Sequence, residues 1–244
     1  MKNRVLERRD TQQLIVDGLC SKVRTIPLSR VRIAELINDL NINRNTFYYY
    51  FSSKFEVAYY AFRRDLDARI RAVATESELV VRSEDDDPCG GLAFYARSET
   101  GARMLNHEAF ISSLIHCVSQ DPTLYRNLFT YRELEFINYV RTIWKSAISD
   151  DLDFMLDGRY MPPPIKELLI GGTVSSIIEL AMYCIAHPEL EKSLCDKNFN
   201  PFQNYLLDSL HSTIQRHPLT TRQSKTPPAN FGGKKPFQQH VLFN

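Results

Sequence analysis

The sequence predicts an all-α protein of about nine helices, a small N-terminal unit followed by a larger C-terminal bundle. Three observations carry that expectation. Glycine is scarce, 9 in 244 residues, and no alternating apolar/polar run of roughly 4–8 residues is bounded by turn residues as a strand would be. Apolar residues recur every three to four positions, most clearly at Phe55, Tyr59, Phe62, Leu66, Ile70 and Val73. Helix start and stop signals punctuate the chain at intervals that suit helices.

The first helix is expected over 11–24. Asp10 with Gln13 makes a box-like start, and Leu14, Ile15, Leu19 and Val23 form an inner face. Thr25-Ile26-Pro27-Leu28 breaks it. A second helix is expected over 33–40 with Ile33, Leu36, Ile37 and Leu40 inward. Asn41 follows, a residue that tolerates the left-handed conformation that ends helices. Asn43 then caps a very short third helix through its side-chain oxygen. Ser53 and Glu56 form a capping box for a longer fourth helix reaching about residue 78. The run Ser83-Glu84-Asp85-Asp86-Asp87-Pro88 is a solvated connector. Later helices are expected at 92–99, 102–119, 122–148, 163–186 and 202–216. Asp121-Pro122 and Met161-Pro162-Pro163-Pro164 serve as starts and His187-Pro188 as a stop. From Pro218 on, Pro, Gly, Gln, Ser and Lys dominate, and this tail is expected to be disordered.

The net charge of +1 hides an uneven distribution. Residues 1–64 carry 12 Lys/Arg against 6 Asp/Glu, net +6; residues 65–217 carry 14 against 23, net −9; residues 218–244 carry 4 against none. A basic end suits a polyanion and an acidic body repels one. No apolar leader occupies the first residues. The most apolar region, 168–186, is interrupted by Glu179 and suits a buried or interface helix better than a membrane span. Five scattered cysteines without C-x-x-C spacing point away from disulfides and zinc and toward a reducing, cytoplasmic setting. Cys89, beside Gly90-Gly91, reads as a loop thiol with no basic neighbour to activate it. No nucleophile elbow, P-loop, dinucleotide fingerprint or Glu-x-x-His pair appears, so neither catalysis nor a cofactor or metal is expected.

The informative segment is Ile42-Asn43-Arg44-Asn45-Thr46-Phe47-Tyr48-Tyr49-Tyr50-Phe51, followed by Ser52-Ser53-Lys54. A helix this short cannot stand alone. Phe47 and Phe51, at i and i+4, can anchor it against Leu36, Leu40 and Ile42, leaving Arg44, Asn45, Thr46, Tyr48 and Tyr49 outward. Two short helices joined by three or four residues make a helix-turn-helix. The major groove, about 12 Å wide, admits one such helix. Arg suits guanine, Asn adenine, and Thr a base edge or thymine methyl. Tyrosine hydroxyls and Lys54 suit phosphates. Taken singly, each residue also fits a packing or capping role; as an ordered set they point to DNA.

Residues 33 to 57 resemble the N-terminal domain of the TetR/AcrR-type transcriptional regulators. The resemblance implies three helices for DNA and a variable helical body that pairs with its twin through its last two helices and holds a small-molecule effector. By position it assigns Arg44, Asn45, Thr46 and Tyr48 to bases or nearby backbone, and Tyr49, Tyr50 and Lys54 to phosphates. It places Arg32 and Ile33 at the DNA-facing start of the second helix and counts Asn43, which caps the third, among the DNA-binding residues. Arg32 stands where the family has Ser or Thr, and Asn41 where it has Gly. The implied organisation is a DNA-binding unit at 1–53, a ligand-binding and dimerisation body at 54–217, and a tail at 218–244. The implied function is a homodimeric, ligand-responsive repressor of a palindromic double-stranded operator, with no membrane partner. The alternative is a co-activator of the same fold working through protein contacts.

In the body, 163–186 reads as a dimerisation helix, with Gly171, Gly172, Thr173, Ser175 and Ser176 allowing close approach. His107, Phe110, Tyr131, Phe136, Trp144 and Tyr183 are conceivable pocket residues, each better explained as core; no ligand contact is assigned.

Overall fold

The computed structural model describes residues 2–82, 89–101 and 103–196, and 210 and 212–214 of the C-terminal segment, with 2–10 described by their backbone alone. The expected acidic connector, most of the 202–216 helix and the 218–244 tail lie outside the described residues.

The architecture is all-α. The helices are α1 (Lys2–Val23), α2 (Ile33–Asp39), α3 (Arg44–Tyr50), α4 (Lys54–Val73), α5 (Glu108–Gln120), α6 (Pro122–Arg126), α7 (Leu134–Leu156), α8 (Pro163–Ala186) and α9 (Glu191–Leu194). A 3-10 turn, Leu28–Arg30, joins α1 to α2. Ile15, Leu19 and Val23 of α1 are buried as expected, but Leu14 is exposed and Val16 takes its place. Gly18 lets α2 come close: a Cβ there would lie 2.8 Å from a Leu40 methyl.

Helix α4 is the spine, packing on α1 at one end and on α5 and α7 along its length. Phe62 sits at the centre, edge-on to Tyr125, Phe129, Phe136 and Trp144 at 5.3–6.3 Å. Its neighbour Arg63 is fully buried, donating to the Tyr139 hydroxyl and the Leu92 carbonyl while its guanidinium covers the Phe94 ring. Helix α8 is long and apolar enough, by length and composition, to cross a membrane. Here it packs along α5, α6 and α7.

Several boundaries differ from expectation. Helix α1 begins at Lys2, so Asp10 lies inside it; the residues before Asp10 include several good helix formers, and nothing stops the helix there. Helix α4 ends at Val73, which is exposed. Thr75 and Glu78 form their own box, with the Thr75 N–H and hydroxyl both donating to the Glu78 carboxylate, which lowers its pKa. The expected 92–99 helix is absent. Two short antiparallel pairs stand there: β1 (Leu79–Val80) with β2 (Tyr95–Ala96), and β3 (Ser98–Gly101) with β4 (Met104–Asn106). Gly101 and Arg103 both adopt positive φ, turning the second pair where a helix would have to run straight. Helix α5 therefore starts only at Glu108, whose N–H is received by the Asn106 side chain.

The expected 122–148 helix is two. Helix α6 stops at Arg126, and α7 starts at Leu134 and continues to Leu156, where Asp157 and Gly158 turn left-handed. Between them, Leu128 and Phe129 are buried. Tertiary packing overrides helical propensity in that stretch. Helix α8 has the expected bounds, and α9 is a short addition.

Candidate nucleic-acid interface

The turn between α2 and α3 is built by local chemistry. Asn41 takes φ 50°, and the N–H of Ile42 reaches back to the Ile37 carbonyl while that of Asn41 reaches Asn38. This paired closure satisfies the last carbonyls of α2. Asn43 is extended, and its Oδ1 accepts from the Thr46 N–H at 2.7 Å, starting α3 at once. At the other end, Ser53 Oγ accepts from the Glu56 N–H at 3.2 Å to start α4. Glu56 closes the box one residue earlier than predicted, on the N–H and hydroxyl of Ser52.

Helix α3 is two-faced. Phe47 is 0 % exposed and Phe51 3 %. Their rings lie 6.4 Å apart, and Phe51 meets Tyr60 of α4 edge-on. Asn43, Arg44, Asn45, Tyr48 and Tyr49 are exposed, with Thr46 and Tyr50 half-buried. The Arg44 guanidinium lies over the Tyr48 ring, and Tyr49 and Tyr50 are in edge contact.

At the start of α2, Arg32 makes no capping bond and extends into solvent, 3.5 Å from Glu35. Ile33 is half-buried and packs against the core, so its outer edge alone is available. Lys54 stands apart from the other candidates. Its ammonium donates to the carbonyls of Ser29 and Val31, and desolvation lowers its pKa. It ties the start of α4 to the α1–α2 connection, leaving one of its three donors for a phosphate.

The unit formed by α1–α3 is braced from the body by residues the sequence did not single out. Glu133, 2 % exposed, accepts from both the N–H and the hydroxyl of Ser29 at 2.9 and 2.7 Å. The Asn127 side chain donates to the Val23 carbonyl, and Arg24 pairs with Asp121. These contacts span about a hundred residues of sequence, and no local signal marks them.

In the body, Phe110, Phe136 and Trp144 are fully buried core, whereas Tyr131 and Tyr183 are exposed. His107 belongs to a buried cluster around Asp151, which is 0 % exposed. Asp151 accepts from the Tyr95 hydroxyl and His107 Nε2, each at 2.8 Å, and from Arg97. Burial and the Asp151 charge raise the Tyr95 phenol well above its ordinary pKa, which keeps it a donor. Burial also pushes the Cys20, Cys117 and Cys184 thiols up to about 12. Cys89 is buried, at 1 % exposure, although it lies in a turn.

No protein-family model matches the chain, and no curated protein does. Among solved structures, the dihydroxyacetone kinase operon activator DhaS is similar at a TM-score of 0.47 and 14% identity, over 84% of this chain and 97% of that one. A likeness that slight assigns neither family nor function.

Proposed function

We propose that this chain is a DNA-binding transcriptional regulator of the TetR/AcrR type, a ligand-responsive repressor that binds a palindromic operator as a homodimer. The observation that carries the reading is the two-faced α3, with Phe47 and Phe51 buried behind it while Arg44, Asn45, Tyr48 and Tyr49 stand exposed in front. A helix of seven residues held from behind presents Arg, Asn and Tyr together in one outward row, the residue types that suit base edges and phosphates. The net +6 of residues 1–64 favours a polyanion, and the net −9 of the body keeps DNA on that end.

The dimer is argued from α8. Ile165, Leu168, Gly172, Ser175, Glu179 and Tyr183 form one exposed stripe at three-to-four residue spacing. Leu168 is 71 % exposed, and a Cβ on Gly171 or Gly172 would meet nothing within 4 Å in this chain. A second copy laid along the stripe buries those apolar side chains and uses the room at the glycines. Two α3 helices then face successive major-groove turns, roughly 34–36 Å apart. An effector in the body releases DNA by favouring a dimer whose α3 spacing no longer fits, to the extent of its differential affinity for the two states.

Selection of bound duplexes from a random DNA pool tests the reading: a palindromic winner is expected. A regulator that works through protein contacts alone would enrich nothing. On the selected site, Arg44→Ala should cost about 1–3 kcal/mol and relax preference at one base position in each half-site. Affinity should fall steeply and linearly on a log–log salt plot, and a flat plot would argue against phosphate contacts. Leu168→Asp should convert the dimer to monomer by light scattering at micromolar concentration and weaken operator binding with it. A wild-type chain already monomeric under those conditions removes the dimer from the model.

A further inference from the structure

On the outward face of α3, Arg44 is held in a set place. Its guanidinium carbon lies over the Tyr48 ring, 5.4 Å from the ring centre. The contact follows from the helix itself. Residues four apart share a face, and side chains lean toward the helix N-terminus, so Tyr48 leans back over the turn that carries Arg44. The ring is held in its turn. Phe47, 0 % exposed, meets it at 5.3 Å with the two planes at 83°, while Tyr48 itself stays 43 % exposed. A line of contact therefore runs from the core through Phe47 and Tyr48 to Arg44.

Arg44 opens α3, and no acidic residue stands in that helix to pair with it. The negative face of the Tyr48 ring takes the place of a carboxylate. The difference matters for recognition. A carboxylate would occupy the guanidinium N–H groups, whereas a ring beneath the plane leaves the donors at its edge open. An arginine free on a surface samples many rotamers and gives up that freedom on docking. Stacking fixes part of it beforehand. What remains is a planar fork of donors, the shape that matches the paired N7 and O6 acceptors of guanine in the major groove.

We propose that Tyr48 is a positioning residue whose ring aims Arg44 at a guanine in each half-site, and that the pair sets the base preference there. Tyr48 acts through its ring face and not through its hydroxyl. The inference rests on the regulator reading and names the base that α3 selects. Ordering the arginine in advance lowers the cost of fixing it on DNA, and so sharpens discrimination without adding a contact. A cation–π contact at an exposed site supports an effect of about two- to fivefold.

The test uses the full chain on its selected duplex, with all four base pairs compared at the position where Arg44→Ala relaxes preference. Guanine should be preferred there. Tyr48→Phe, which keeps the ring, should retain the wild-type preference. Tyr48→Leu should lower it about two- to fivefold and leave the other positions as they are. In an Arg44→Ala background, Tyr48→Leu should lower it no further. Undiminished preference in Tyr48→Leu overturns the proposal, as does a preferred base other than guanine. An equal loss at every position also overturns it, being the mark of a structural role. So does a Tyr48→Phe chain as impaired as Tyr48→Leu, since the hydroxyl would then be the contact. Should Tyr48→Leu fail to fold, Tyr48→Gln takes its place with the same expectations. The free protein gives a readout that needs no DNA. The ring current of Tyr48 should move the Arg44 side-chain proton resonances upfield, and Tyr48→Leu should return them to their ordinary positions; an unshifted arginine overturns the proposal. A wild-type chain that enriches no duplex removes the regulator reading and this inference with it. A wild-type chain that selects DNA, while Tyr48→Leu reads it equally well, removes the inference alone.

Discussion

Phe47→Ala is expected to abolish operator binding, although Phe47 faces away from DNA in the proposed complex. Its ring is completely buried behind α3, against Phe51 and the edge of Tyr48. Removing it leaves a cavity under a helix of seven residues. Large-to-small changes of this kind cost about 3–5 kcal/mol. So short a helix has almost no stability of its own to fall back on. The loss should appear as a lowered midpoint in urea unfolding and as fast amide exchange across α3 at denaturant levels where α7 stays protected. Tyr49→Ala, on the exposed face, should leave the midpoint nearly unchanged while weakening DNA binding. If Phe47→Ala melts like the wild type, α3 is not anchored from behind, and the two-faced helix on which the functional reading depends is not there.

Asp151→Ala is expected to be equally severe for the body. It strips the shared acceptor from Arg97, Tyr95 and His107 together and leaves the buried Tyr95 and His107 without that partner. Breaking a buried charge pair from one side costs about 3–5 kcal/mol, a large share of the roughly 5–15 kcal/mol that holds a typical domain. Asp151→Asn keeps one acceptor oxygen and should fall between the two. Thermal unfolding of the three proteins ranks them directly. An Asp151→Ala chain as stable as the wild type would show that the cluster is not a structural keystone, and that its polar groups are tolerated at little cost.

The α1–α3 unit was legible because its signals are local. Asn41 at positive φ, Asn43 capping Thr46 and Ser53 capping Glu56 each depend on residues within four positions, and each appears where the sequence placed it. The Phe47 and Phe51 pair was legible for the same reason: helical spacing alone puts both on one side. The bounds of α8 followed from its prolines and from His187-Pro188. What the sequence could not show depends on distant partners. Helical periodicity extends through 122–148, yet burial of Leu128 and Phe129 interrupts it. The 92–99 stretch has no helix-breaking residue, but β1 gives it a partner to pair with and the Gly101 turn redirects it. Lys54 carries the right charge in the right place for a phosphate, and only the fold reveals that two carbonyls already hold it.

The brace from Glu133 to Ser29 and from Asn127 to Val23 bears on the order in which the protein is made. A ribosome delivers α1, α2 and α3 long before residue 133 has been synthesised. The nascent chain can form its first three helices early, but it cannot fix their tilt until the α6–α7 connection arrives to grip them. A transcript cut short before that point would encode three helices with no mount.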